Sequence, residues 1–434
     1  MSTFQPWDVR QVDLSVPNGG LTAAPDTGGI HVQLHWKSIP LGQLWLALNE
    51  LPLTASDFLR RAARAIAPAV GDRLFEHGFR AALPVVGENP ARDKPAELGP
   101  LLECCQPLAV IERALGQIPV PKTSVSVIVC TRGRPDPLRN CLAALARLDP
   151  AADEILVVDN SAEGSARRIT DQFPGVMYVS EPQPGLSRAR NAGLRQATGT
   201  LIAWTDDDVV PHPFWLGAIR RTFADETISA MTGLVLPLAL NTAAQVRFER
   251  NFGGFNRGYR RLTYDRQFFS EMAGRGVPVW DIGAGANMAF RSSVFAQIGT
   301  FDERLGAGAA GCSEDSELWY RMLAKGLTIR YEPLAAVWHG HRAEDDAYGA
   351  QMEEYMRGHV AALLVQFEKH RHSGNLRRLL LALPRHYLRR MTLRGGDVDR
   401  STLGREMRGC LRGVCHYLRN RPLRRTSPAS AFSP

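Results

Sequence analysis

Apolar positions in this chain follow different rhythms in different stretches. From about residue 123, short unbroken apolar runs alternate with amphipathic stretches of helical period. "SVSVIVC" (124–130) is a β-branched run closed by "TRGRPDP", and "LRNCLAALARL" (138–148) then repeats its apolar residues at helical spacing. "EILVV", "VMYV" and "LIAW" are further buried runs, and the helical "SRARNAGLRQA" precedes the last of them. Strands alternating with helices of about ten residues predict a parallel sheet with helices on both faces. Runs that are apolar throughout, rather than alternating, predict strands buried on both sides.

The flanks read differently. Residues 1–120 are less regular. "IHVQLHW" alternates like a strand, "TASDFLRRAARAIA" is a helix with Thr54 as N-cap and Asp57 at its third position, and "GENPARDKPAELGP" has linker chemistry. No catalytic constellation is visible there. Beyond about 345 lie helices, with Leu376, Leu379, Leu380 and Leu383 at i, i+3, i+4, i+7, a spacing repeated by Leu411, Val414, Cys415 and Leu418. The expected organisation is therefore an N-terminal α+β accessory region (1–120), an α/β domain (121–345) and a C-terminal helical, Arg-rich region (346–434).

In a parallel α/β sheet ligands bind beyond the carboxyl ends of the strands, so the polar residues just after each run are the candidates for chemistry. These are Thr131, Arg132 and Arg134 after the first run, Asp159 after the second, the stretch Gly185–Asn191 after the third, and Asp206, Asp207 and Asp208 after the fourth. Three adjacent carboxylates repel unless a turn solvates them or positive charge sits among them. Hard divalent cations prefer oxygen ligands and complete their shells with substrate phosphates, so a cation shared with a nucleotide would remove the repulsion.

Composition narrows the class. A chain of 434 residues implies two or three domains, and its 44% hydrophobic content suffices for globular packing. No apolar run reaches the roughly 18 residues of a membrane span. The start "MSTFQPWDVRQVDL" lacks the basic and apolar regions of a secretory signal, and seven scattered cysteines do not form a disulfide framework, so a reducing cytoplasm is expected. The net charge of +8 belongs to the tail. Residues 371–434 hold 15 Arg, no Lys and three acids, a local charge of +12. Basic amphipathic helices suit an anionic membrane surface, and packing on the catalytic domain also accommodates the leucine stripes. Without a stacking platform or a recognised DNA-binding spacing, nucleic acid is not an expected partner.

"VSVIVCTRGRPDPLRNCLAAL", "ILVVDNS", "PGLSRARNAGLRQATGTLIAWTDDDVVP" and "SEDSELWYRM" resemble, in order and spacing, successive motifs of the family 2 glycosyltransferases. The resemblance runs over about residues 123–345. It implies a GT-A nucleotide-diphospho-sugar transferase fold, a Rossmann-like, mostly parallel sheet with helices on both faces. It also implies a nucleotide-sugar donor, commonly a UDP-sugar in the family, a divalent metal (Mn²⁺ or Mg²⁺) and inversion at the anomeric carbon. By position in those motifs, Thr131, Arg132, Arg134, Asp159, Arg188, Asn191, Asp206 and Asp207 are donor-binding candidates, with Arg190 nearby. Asp208 is the expected metal ligand. Within "SEDSE", where Ser313 stands as N-cap, Asp315 is the expected general base and Glu314 its partner or substitute. His339, in "VWHGHR", stands where such enzymes often place a further metal or diphosphate contact; Arg342 could grip the diphosphate. Asp281 is a candidate sugar contact, and Gly283 reads as tight-turn geometry.

The acceptor implied is a glycan or lipid-linked hydroxyl compound in envelope or polysaccharide synthesis, with the enzyme in the cytoplasm and its basic helices against the inner face of the membrane. Two other functions remain open at this point. A sugar-phosphate nucleotidyltransferase also needs acids at a sheet edge, but "TRGRPDP" has only one glycine of the signature such enzymes carry. A non-catalytic glycan-binding scaffold would tolerate loss of the acids at 206–208 and 314–315, which are both intact.

Overall fold

The computed structural model describes residues 4–76, 106–342, 345–392 and 400–421. The linker-like "GENPARDKPAELGP" and the end of the basic tail lie outside them. The first element is a three-stranded sheet of β1 (Trp7–Asp13), β2 (Gly29–Trp36) and β3 (Ile39–Ala47), with β1 parallel and β3 antiparallel to β2. Helix α1 (Ala55–Glu76) packs on it, and α2 (Pro107–Gln117) follows. The Thr54 cap forms: Asp57 N–H donates to Thr54 Oγ1 (3.1 Å) and Thr54 Oγ1–H to the Asp57 carboxylate (2.8 Å).

The central sheet is built from β4 (Val125–Thr131), β5 (Glu154–Asp159), β6 (Val176–Ser180), β7 (Leu201–Asp206), β8 (Val209–Pro211), β9 (Ile228–Pro237), β10 (Leu262–Tyr264), β11 (Asn287–Arg291) and β12 (Thr328–His339). Their order is β10-β12-β9-β11-β7-β4-β5-β6, with β8 on β12. The runs seen in the sequence form a parallel core, β6-β5-β4-β7, which antiparallel β11 joins to the parallel pair β9–β12. Every residue of β4 is buried, because both faces are covered. Val125, Val127 and Val129 enter one hydrophobic cluster, with α3 (Pro135–Leu145), while Ile128 and Cys130 enter the other, with α4 (Leu186–Gln196). The period of two within an unbroken apolar run thus serves two cores.

The first cluster also takes in Ile30, Val32, Leu34 and Phe58, so the N-terminal sheet shares a core with the central one. That sheet braces the segment before β10 as well. Arg250 lies over the rings of Trp7 and Trp45 (5.3 and 5.6 Å), and Asn256 Nδ2 donates to Gln43 Oε1 (3.3 Å).

Helix α5 (Trp215–Thr222) belongs to the first cluster and α6 (Glu314–Ala324) to the second. The latter ends as its sequence predicts. Gly326 has φ 79°, its N–H donates to Leu323 O, and Leu327 N–H reaches back to Met322 O (3.0 Å). At the C-terminus, α7 (Asp345–His370), α8 (Leu383–Thr392) and α9 (Arg400–Asn420) follow, with α7 packed along α9.

Neither C-terminal stripe packs as a whole: Leu379, Leu383 and Val414 join an apolar cluster, and the remaining leucines divide as follows. On α9 the inward face is Leu403, Glu406, Gly409, Gly413 and Tyr417, whereas Leu411 and Leu418 are 70% and 60% exposed. The reason is close approach. A Cβ on Gly409 would stand 2.3 Å from Glu353 O and one on Gly413 2.6 Å from Arg357 O, so small residues, not leucines, face α7. In the first stripe a π-turn over Arg378–Ala382 shifts the register, leaving Leu380 65% exposed while Leu383 is buried. Among the described residues no helix is long and apolar enough to cross a membrane.

Candidate active site

A cavity of about 1760 Å³ opens at the carboxyl ends of β4 and β7. The acid triplet lies where β7 turns into β8, and its members do not share one fate. Asp207 turns inward, 3% exposed, and accepts from Thr131 Oγ1 (2.7 Å) and Arg134 Nη1 (2.6 Å). Arg134 donates with its other nitrogen to Asp208 Oδ2 (2.8 Å), and Arg190 Nη2 stands 3.6 Å from Asp206 Oδ1. Two guanidinium groups therefore sit among the three carboxylates, which is how the fold tolerates them. Burial pushes the Asp207 carboxyl up to about 7 in spite of Arg134 and Thr131, and it raises Asp206 as well. For Asp208 the upward push of burial is outweighed by His339 and Arg134, which hold it below the usual carboxylate range. Burial in turn lowers His339.

His339 ends β12 beside this turn. Asp206, Asp208 and His339 each offer a ligand atom, all within 4.8 Å of one another. Nε2 of His339 is 3.3 Å from Asp208 Oδ1, and that oxygen is buried with no hydrogen-bond donor. An orphaned carboxylate oxygen facing an imidazole nitrogen is the arrangement a divalent cation completes. Two oxygens and one nitrogen suit Mn²⁺ better than Mg²⁺.

The second pair of acids opens α6. Ser313 occupies the cap position but does not cap: its φ of 71° turns the hydroxyl away from the helix amides, toward Cys312 Sγ (3.1 Å). Glu314, 5% exposed, accepts from Arg190 Nη1 at 2.5 Å, and burial pushes its carboxyl up to about 7 against that pairing. Asp315 is half-buried and faces the cavity. Its Oδ2 accepts from Gly285 N–H (2.8 Å) and Oδ1 from Ser316 N–H (2.6 Å), with no cation within ion-pair distance among the described residues. Arg190 thus links both acid groups, and its Nη2 also donates to Gly285 O (3.3 Å).

Gly283 and Gly285 are glycines because of proximity, not turn geometry. A Cβ on Gly283 would lie 2.4 Å from Thr232 Oγ1, one on Gly285 2.7 Å from Arg190 Nη2, and neither has positive φ.

Of the residues expected from sequence, Thr131, Arg132, Arg134, Asp206, Asp207, Asp208, Glu314, Asp315 and His339 line the cavity, as does Arg342. Asp159, Arg188, Asn191 and Asp281 do not. Asp159 is fully buried, its carboxylate accepting from Ser161 N–H (3.0 Å), Ser161 Oγ (2.6 Å) and Ala166 N–H (2.7 Å), an Asx-turn into the next helix. Asn191 is spent on the backbone of Phe301, and Arg188 pairs with Glu303. The central cation of the site is Arg190. Its signal was present as the one charge in the stripe Leu186, Ala189, Arg190, Gly193, a buried arginine that demands carboxylate partners. Trp280 and Arg378, which stack with 3.7 Å between guanidinium carbon and ring centroid on the far wall, carried no sequence signal.

Residues 126–299 match the family model described as Glycosyl transferase family 2. The chain is 28% identical over 229 residues to the pre-mycofactocin glycosyltransferase of Mycobacterium tuberculosis, a match covering 51% of this chain and 43% of that protein. It is 28% identical over 226 residues to the succinoglycan biosynthesis protein ExoM of Rhizobium meliloti, covering 49% and 65% respectively. The chain therefore spans less than two thirds of the length of these relatives. Among solved structures, it is similar to the mannosyltransferase PcManGT from Pyrobaculum calidifontis, in complex with GDP-Man and Mn²⁺, with a TM-score of 0.45 and 17% identity over 74% of this chain and 97% of that one.

Proposed function

We propose, from the premise that residues 126–299 form a family 2 glycosyl transferase domain, that the protein is an inverting glycosyltransferase using a nucleotide-diphosphate sugar. The observation that carries this reading is the pairing of two acid groups of different character on one cavity. Asp206 and Asp208 face His339 at a site that fits a divalent cation, while Asp315 faces the same space with no cationic partner among the described residues. A cation held there would neutralise charge on the leaving diphosphate. Thr131 and Arg134 hold Asp207 inward, and Arg134 pairs with Asp208 through its other nitrogen. Arg132 and Arg342 are the remaining cationic side chains at hand for diphosphate.

Asp315 takes the proton of the acceptor hydroxyl as its oxygen bonds to the anomeric carbon and the bond to diphosphate breaks on the opposite face, a single displacement that inverts. Backbone amides of Gly285 and Ser316 fix that carboxylate without neutralising it. Glu314 is the poorer base for geometric reasons, since the Arg190 guanidinium occupies it.

A UDP-sugar donor and a lipid-linked or polymeric glycan acceptor are the finer parts of the proposal. Support for a lipid-linked acceptor comes from α8. Leu383, His386, Tyr387 and Arg390 on this helix line the cavity, while Leu388 and Met391 are 62% and 61% exposed. Met407, Leu411 and Leu418 of α9 and the arginines Arg385, Arg389 and Arg419 are exposed too, apolar and basic side chains of the kind that suits anionic lipid at the inner face of a membrane. Residues 121–345 would then be the catalytic domain, with 1–120 bracing it and 346–434 forming the membrane-facing wall.

The test is calorimetric titration of UDP-sugars with and without Mn²⁺ on the native chain and on Asp208→Ala. Metal-dependent donor binding should be lost in the variant, with the fold retained. Donor affinity indifferent to Mn²⁺ would overturn the metal site. Release of UDP on slow donor hydrolysis supports a transferase, and pyrophosphate release would instead indicate a nucleotidyltransferase.

A further inference from the structure

Polar contacts continue from His339 to His341, which also lines the cavity, and on to Glu249, which does not. Nδ1 of His339 lies 3.0 Å from Nδ1 of His341, and Nε2 of His341 lies 2.6 Å from Glu249 Oε1. His341 and Glu249 are each 9% exposed. Glu249 sits in the short helical turn Phe248–Phe252, directly before the Arg250 that the N-terminal sheet holds. Gly254, with φ 57°, folds over the carboxylate so tightly that a Cβ would stand 2.5 Å from both of its oxygens. Gln245 Nε2 anchors the backbone carbonyl of His341 at 2.9 Å. This is a built array: three side chains from two distant segments, locked by packing.

For an ionised carboxylate and neutral imidazoles, the hydrogen-bond directions follow from the donor inventory. An ionised carboxylate only accepts, so His341 Nε2 carries a hydrogen and donates to Glu249. Neutral His341 then has a bare Nδ1, which must accept. The hydrogen in the 3.0 Å contact therefore belongs to His339 Nδ1, and that exhausts the protons of a neutral imidazole. His339 is left with a bare lone pair on Nε2, aimed at the orphaned Oδ1 of Asp208 across 3.3 Å, the longest contact of the three.

We propose that Glu249 and His341 are positioning residues that lock His339 in its Nδ1–H tautomer and so present Nε2 as a ligand for a divalent cation shared with Asp206 and Asp208. The inference rests on reading that triad as a cation site. Partners that orient a metal-binding histidine typically change metal affinity by about 10–100-fold when removed. The same chain of contacts gives the N-terminal sheet a part in the site, through the segment that carries Glu249.

The experiment is titration of the full chain with Mn²⁺ alone, comparing the native protein with His339→Ala, His341→Ala and Glu249→Gln, each checked by circular dichroism. Nitrogen-15 NMR of the histidines in the metal-free native protein accompanies it. Expected are Mn²⁺ affinities about 10–100-fold weaker in His341→Ala and Glu249→Gln, and a native His339 protonated on Nδ1 with a bare Nε2. Loss of affinity in His339→Ala with native affinity in the other two would overturn the positioning role and leave the cation site standing. Native affinity in His339→Ala would overturn the site itself. A native His339 protonated on Nε2 would refute the proposal without any variant, so a misfolded substitution does not shelter it.

Discussion

Arg190→Met removes the cation that both acid groups share while nearly preserving the volume of its side chain. Arg190 is 2% exposed, and its nitrogens lie 2.5 Å from Glu314 and 3.6 Å from Asp206. Breaking a buried pair from one side costs about 3–5 kcal/mol, because the remaining charge is stranded. Here the cost should depend on pH. Glu314, ordinarily near 4.5, already stands at about 7 in the native fold through burial, and losing Arg190 raises it further. An acid whose folded pKa lies above its unfolded value destabilises increasingly as pH rises through that interval. Between about 4.5 and 7 native protein and variant lose stability in parallel, since both hold Glu314 protonated. Above 7 the native group ionises against Arg190, whereas the variant must keep its proton at about 1.36 kcal/mol per pH unit.

The deficit of Arg190→Met should therefore be about 1–2 kcal/mol at pH 6, from lost hydrogen bonds. At pH 9, two units higher than 7, it should be roughly 3 kcal/mol larger. Urea unfolding followed by tryptophan fluorescence reads this directly, because Trp204, Trp215 and Trp319 are buried on the two faces of the sheet. Adding Glu314→Gln to the variant should remove most of the pH slope. A deficit that stays flat from pH 6 to pH 9, or a slope that survives Glu314→Gln, would refute the shared-cation account.

Asp315→Asn should leave donor affinity unchanged and lower transfer by about 10²–10⁴-fold in an acceptor-dependent UDP-release assay; near-native turnover, with collapse in Glu314→Gln instead, would move the base to Glu314. Gly283→Ala forces a methyl group to within 2.4 Å of Thr232 Oγ1 and should cost about 1–3 kcal/mol in thermal unfolding; an unchanged melting temperature would mean that β9 yields there. Sedimentation with anionic vesicles should weaken steeply with salt and be lost in Leu388→Glu/Leu411→Glu, since exposed charges are screened over about 8 Å at physiological ionic strength. Equal sedimentation with neutral vesicles would dispose of the charge-driven surface.

Where the chain's chemistry is local, the sequence was enough. The unbroken apolar run of β4 follows from burial on two faces, the Thr54 cap and the Gly326 stop from backbone groups a few residues away, and the place of Asp206–Asp208 from the rule that parallel sheets expose ligand sites at their carboxyl edges. The motifs at 123–345 carried the resemblance to the family, and the family model matches residues 126–299 of that stretch. What each side chain does there depended on partners far along the chain. Arg190 meets Glu314 across 124 residues, His341 meets Glu249 across 92, and Asn191 is consumed by Phe301 across 110. A neighbour within three residues, Ser161, and a helix amide at Ala166 took Asp159 out of the cavity, although nothing in its motif distinguishes that use from a ligand contact. On α9 the glycines that let two helices touch turned the leucine stripe outward. Periodicity and capping are properties of contiguous backbone, so sequence alone determined the elements and the edge where chemistry sits. Ion pairs, close approaches and exposed faces depend on which segments meet, and only the tertiary structure decided those.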